Sequence, residues 1–182
     1  MAHFEGLTPN SGLTEVLRAF PRNSKPLLHL LNSIMCADGE LSRGQRETIA
    51  AIVSQQNDVA YCAFYHSLFA EVLTAPNAQP NVDVEPLAEY ARRLIVGDSG
   101  ELDRAFKAAL SAGWSQAALY ETVEVVGIFN FINTIVKAAG LVQPQARPCP
   151  MPTAEGLAHS YMDMAESIGS CSPGPVSSCR SR

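Results

Sequence analysis

Apolar residues in this chain recur at three- and four-residue intervals, and no stretch shows sustained apolar–polar alternation bounded by turn signals. That spacing predicts an all-α fold, a single compact domain of about six to eight helices. Leu27, Leu28, Leu30, Leu31, Ile34 and Met35 mark one helix, and Ala37-Asp38-Gly39 stops it. Ser42 with Gln45 three residues later reads as a capping box opening the next helix, through Ile49, Ile52 and Val53. Gln55-Gln56-Asn57-Asp58 interrupts it, and Asn57 or Asp58 is expected to cap a helix from Val59 to about Leu73.

Thr74 to Asn81, with two prolines, reads as a loop. Leu87, Tyr90, Ala91, Leu94 and Ile95 define another amphipathic helix, broken at Gly97-Asp98-Ser99-Gly100. Leu102, Phe106, Ala109 and Leu110 form a shorter one ending at Ala112-Gly113, where glycine suits a left-handed terminal position. Ser115 then caps a long, very apolar helix that reaches Ala139 and ends at Gly140. Hydrophobicity all round a helix implies burial on most faces, in the core or against another subunit. Before this series, residues 1–23 read as an arm with about two helical turns between Leu13 and Phe20. After it, residues 144–169 read as a Pro-rich linker with a helix from Thr153 to Ile168, and 170–182 as a Ser-, Pro- and Gly-rich flexible tail.

Hydrophobic residues make up 47% of the chain and charged residues 17%, which is globular rather than disordered. With a net charge of −5 and no basic run, there is no electrostatic basis for tracking a nucleic-acid backbone. The first residues lack the charged and apolar regions of a signal peptide. The apolar stretch Val123 to Val136 contains Glu124, Asn130 and Asn133 and is short for a bilayer span, so a soluble, cytoplasmic protein with no membrane partner is expected. The 5 cysteines (Cys36, Cys62, Cys149, Cys171 and Cys179) form no Cys-x-x-Cys pair and match no zinc spacing. Free thiols are expected, with no metal and no cofactor.

The segment Asn57 to His66 carries the chemistry. With Asp58 as cap, Cys62 falls in the first helical turn, where unpaired amides and the helix dipole favour a thiolate. His66 lies four residues on, one turn along the same face, within expected hydrogen-bonding reach of the sulfur. Glu47, on the preceding helix about two turns before the connecting loop, comes back to the same place if the two helices pack antiparallel. Its expected role is to hold or relay the proton leaving Cys62, directly, through His66 or through water. Tyr61, Tyr65, Phe129, Asn130 and Asn133 are the candidates for a substrate pocket, with Phe64 and Phe131 as further apolar walls. The plainer alternatives are that Cys62 is core filler, Glu47 a solvated charge and the aromatics core residues.

Leu41 to Glu47 together with Asn57 to His66 resembles the Arg-Glu helix and Cys-x-x-Cys-x-x-x-His motif of the alkylhydroperoxidase D-like / carboxymuconolactone decarboxylase family. Phe129-Asn130-Phe131-Ile132-Asn133 is similar to the Phe-Asn-x-x-Asn stretch of its peroxidase-related branch. The likeness covers about residues 25–143, so that 24–143 would be the family core. It implies an all-α subunit of a trimer or hexamer that reduces organic hydroperoxides. In that chemistry the second motif cysteine attacks the peroxide, the first resolves the sulfenic acid as a disulfide, and a dithiol partner restores both. By position, Cys62 is the attacking cysteine, and His66 and Glu47 assist proton transfer.

This chain departs from the motif in three places: Val59 stands where the first cysteine would be, Tyr61 where some members carry histidine, and Thr134 where an arginine often follows. The motif therefore cannot close its own disulfide, and another thiol must resolve Cys62. The leading expectation is a peroxidase with one functional cysteine acting on a small hydroperoxide, hydrogen peroxide included. A lyase or isomerase acting on a lactone through Glu47 and His66 is the first alternative. An oligomeric scaffold whose site has decayed is the second.

Overall fold

A computed structural model describes residues 3–8, 10–74 and 83–169 of the chain. Most of the expected loop 74–81 and all of the tail 170–182 lie outside the described residues. Among the described residues the regular structure is helical, with no strand: α1 (Leu13–Ala19), a 3-10 turn at Pro21–Asn23, α2 (Ser24–Cys36), α3 (Arg43–Gln56), α4 (Ala60–Leu73), α5 (Glu85–Val96), α6 (Ser99–Ser111), α7 (Gln116–Ala139) and α8 (Ala154–Gly169).

The local signals explain most of these boundaries. Ser42 accepts from the Gln45 N–H at 3.2 Å while the Gln45 side chain accepts from the Ser42 N–H at 2.8 Å, the reciprocal box that starts α3. Ser115 caps α7 by accepting from the Ala118 N–H at 3.0 Å. Gly113 (φ 96°) and Gly140 (φ 68°) take the left-handed positions that end α6 and α7.

The connection between α3 and α4 differs from expectation. Asp58 does not cap α4. It adopts φ 54°, the Asp58 N–H bonds to the Gln55 carbonyl at 3.0 Å, and the Val59 N–H bonds to the Ser54 carbonyl at 2.9 Å. These two bonds form a Schellman ending for α3, with aspartate at the left-handed position usually held by glycine. Helix α4 then starts at Ala60 with no side-chain cap.

Helices α3 and α4 lie against each other, and α7 crosses behind them. A methyl group added at Gly44 would lie 2.6 Å from Thr74 Cγ2, so only a residue without a side chain lets the start of α3 approach the end of α4 this closely. The core is contiguous. Leu28, Leu31 and Met35 of α2, Ile49 and Val53 of α3, Leu87 of α5, and Val125, Phe129, Ile132 and Val136 of α7 are all shielded from solvent. Helix α7 is long and apolar enough by length and composition to cross a membrane, and half of its apolar window is buried inside the domain.

Helix α8, expected as an extension beyond the core, packs on α2 and touches α1 and α4. Its buried stripe is Leu157, Tyr161, Ala165 and Ile168, the spacing of one helical face.

An ion pair between a buried arginine and a half-buried glutamate fixes the α2–α3 connection ahead of the site. Arg46 donates to Glu121 of α7 at 2.9 Å and to the Ala37 carbonyl, while Glu121 also accepts from the Glu40 and Leu41 N–H groups at 2.7 and 3.1 Å. Arg46 and Glu47 are neighbours with separate tasks: the arginine anchors the helix, and the glutamate faces α4.

Candidate functional site

Three turns of two helices make the site. Cys62 sits in the first turn of α4 and is only 3% exposed. His66 follows one turn later on the same face, also buried. Glu47, 5% exposed, comes from α3, and its Oε2 is 2.6 Å from His66 Nδ1. The imidazole is held between aromatic rings, edge-on to Phe129 with centroids 4.4 Å apart and to Phe69 at 5.7 Å. With the carboxylate ionised, Nδ1–H donates to Glu47 and Nε2 is left as the ring's basic atom.

Cys62 and His66 share a largely apolar cavity of about 160 Å³ with Leu13, Tyr61, Tyr65, Phe129, Tyr161 and other residues. A dry cavity of roughly 150 Å³ holds a molecule the size of benzene, so the space suits a small organic molecule and not a long lipid chain. Tyr61 and Tyr65 stack edge-on at 5.0 Å, and both also line a second, more polar cleft that includes Asn10, Ser11 and Gln143. They form the wall between the two spaces. The Tyr61 hydroxyl accepts from the Leu13 N–H at 3.1 Å, tying α1 to α4, and burial pushes its phenol up to about 12.

Burial works against the thiolate expected from the first turn. Burial pushes the Cys62 thiol up to about 12, with no charged neighbour pulling it back. A helix N-terminus is worth about 0.3–1 kcal/mol to a nearby anion, whereas placing an ion in an apolar environment costs several kcal/mol. Burial wins. The expected hydrogen bond between His66 and the sulfur is not formed: Nδ1 is committed to Glu47, and among the described residues the Cys62 sulfur has no hydrogen-bond partner.

The other candidates divide. Tyr61, Tyr65 and Phe129 are at the cavity. Asn130 and Asn133 are not: Asn130 accepts from the Asn57 side chain at 2.7 Å, and the buried Asn133 accepts from Ser54 at 3.2 Å. Both fasten α7 to the end of α3 and the turn before α4. Phe64 lines a separate surface cleft beside Val59, and Phe131 is 55% exposed. Cys36 lies beside Arg43, and burial pushes its thiol up.

Tyr161 was absent from the sequence-based candidates. It lines the cavity, and its hydroxyl donates to Glu47 Oε1 at 3.4 Å. The spacing of Leu157, Tyr161, Ala165 and Ile168 is a helical stripe visible in the sequence, but nothing local says which helices it covers.

No protein-family model matches the chain, and no curated protein is significantly similar to it in sequence. The family likeness therefore rests on the motif residues alone.

Proposed function

We propose that the protein is a thiol-dependent peroxidase of the alkylhydroperoxidase D-like kind, reducing a small organic hydroperoxide through Cys62 alone. The observation that carries this reading is a buried carboxylate–imidazole pair at the wall of a small apolar cavity whose wall also contains a cysteine sulfur. Because the resting thiol is protonated, activation belongs to the moment of attack. As Sγ bonds to the terminal peroxide oxygen, the O–O bond breaks and the thiol proton passes to His66 Nε2. Glu47 stabilises the imidazolium through Nδ1–H, and the departing alkoxide takes the proton and leaves as the alcohol. The sulfur is oxidised to sulfenic acid and the peroxide is reduced. An external thiol then condenses with the sulfenic acid, releasing water and forming a mixed disulfide. A second thiol frees Cys62 and departs in a disulfide with the first. The thiol that resolves Cys62 comes from outside the motif, because Val59 occupies the position of the resolving cysteine.

Removing the carboxylate tests this relay. Glu47→Gln keeps the shape but is expected to slow Cys62 oxidation by roughly 10²-fold or more, the usual worth of a positioned acid–base group. His66→Gln is expected to do the same, with the double variant little worse than either because the pair acts as a unit. Rapid-mixing kinetics of peroxide loss checks both, and a Glu47→Gln enzyme as fast as the parent would remove the relay.

A second reading is favoured by one observation: the Glu47–His66 pair is complete without the sulfur, which bonds to neither. Such a pair serves equally for proton transfer on a lactone, in a lyase or isomerase of the decarboxylase branch. Turnover of a carboxylated lactone by Cys62→Ala would establish that alternative.

A further inference from the structure

We propose that Tyr161, contributed by the C-terminal helix, is a positioning residue for the Glu47–His66 pair, its hydroxyl holding the carboxylate aimed at the imidazole. The inference rests on the reading of His66 as the base of the site. It makes α8, which lies outside the segment that resembles a known family, an integral part of the machinery.

Glu47 is shielded from solvent, so its oxygens depend on protein donors. His66 Nδ1–H takes Oε2 at 2.6 Å, and among the described residues the Tyr161 O–H, at 3.4 Å, is the group bonded to Oε1. The other ionisable groups packed around the pair are engaged elsewhere or carry no donor to it. Arg43 of α3 reaches the Ala154 carbonyl at 3.5 Å. Arg46 is spent on Glu121 of α7 and on the Ala37 carbonyl. Cys36 of α2 and Cys62 of α4 are thiols held protonated by burial. Tyr161 itself is buried, and that burial, with the charge of Glu47 beside it, keeps its phenol well above the ordinary tyrosine range. It therefore remains a donor across the whole working pH range. Its ring is fixed by packing along the length of α8 against α2, not by a loop.

Without the hydroxyl, Oε1 would lose its donor and the carboxylate would be free to turn away from Nδ1–H. The test is Tyr161→Phe in the full chain, with Cys62 oxidation by a small alkyl hydroperoxide as one readout. The rate is expected to fall about tenfold, roughly the worth of one hydrogen bond to a charged group. A rate equal to that of the parent would overturn the proposal. Tyr161→Met, which removes the donor and keeps most of the buried volume, is expected to slow oxidation as much, so the test does not depend on one variant folding. The nitrogen-15 resonances of the His66 ring give a readout without turnover: the Nδ1–H signal should weaken in Tyr161→Phe at neutral pH, and an unchanged ring spectrum would also overturn the proposal. If the parent protein proves inert to peroxide, the peroxidase reading falls while this ring spectrum still decides the role of Tyr161.

Discussion

Replacing Cys62 by serine is expected to abolish thiol-dependent peroxide consumption, a loss on the order of 10³-fold or more, as for other nucleophiles whose partner residues cannot substitute for them. A serine hydroxyl in the same wall has neither the nucleophilicity of sulfur toward an O–O bond nor access to a sulfenic acid. Cys36→Ser, by contrast, is expected to leave consumption nearly unchanged. That thiol sits beside Arg43 on the α2 side of Glu47, and burial pushes it up as well. Measured with a small thiol as reductant, unchanged turnover in Cys62→Ser would sink the single-cysteine reading outright. Loss in both variants would instead make Cys36 the resolving thiol.

The largest effect on stability is expected at Glu121. Glu121→Ala would remove the acceptor of two backbone N–H groups and leave the Arg46 guanidinium, 3% exposed, without its counter-ion. Breaking a buried pair from one side typically costs about 3–5 kcal/mol. Because Glu121 keeps partial contact with water, the lower part of that range is expected, lowering Tm by roughly 10 °C for a domain of this size.

The same residue gives a pH signature. Burial alone would raise the Glu121 carboxyl, but the Glu40 N–H, Arg46 and the Leu41 N–H together hold it below the ordinary carboxylate range. A carboxyl depressed in the folded state contributes stability above its unfolded value and loses that contribution as pH falls through the folded value. Calorimetry should therefore show part of the acid destabilisation of the parent protein missing in Glu121→Gln. An identical acid profile in both would show that Glu121 carries no such linkage.

What the sequence revealed, and what it concealed, follows the range of the interactions involved. Ser42 with Gln45, Ser115, Gly113 and Gly140 act within a few residues of themselves, and each structures the chain where its type suggests. Glu47 and His66 were legible as partners because a short connection makes two helices antiparallel, which brings a carboxylate two turns before it near an imidazole two turns after it. Asp58 was misjudged because the same residue type serves a helix start or a left-handed helix end, and only the hydrogen bonds of Ser54 and Gln55 decide between them. The surroundings of Cys62 lay beyond local pattern for a different reason. The favourable helix start is local, whereas the burial that overrides it is assembled from α1, α2, α7 and α8. Asn130 and Asn133 were placed on the correct helix but on the side that fastens α7 to α3. Tyr161 was invisible as a site residue because its partner, Glu47, is remote in sequence and no local pattern links them.

In the proposed reaction the thiol is protonated at rest and passes its proton to His66 only as the peroxide is attacked. The most direct measurement compares two reactions of Cys62 across pH, oxidation by a stoichiometric small alkyl hydroperoxide and alkylation by a neutral thiol reagent, each followed by mass spectrometry of the intact protein. Alkylation, which needs the free thiolate, should be slow at neutral pH and rise about tenfold per pH unit through the alkaline range. Oxidation, in which His66 takes the proton, should rise far less steeply with pH and leave an oxygen atom trapped on Cys62. Two rates climbing in parallel with pH, or a Cys62 that peroxide leaves untouched, would contradict it.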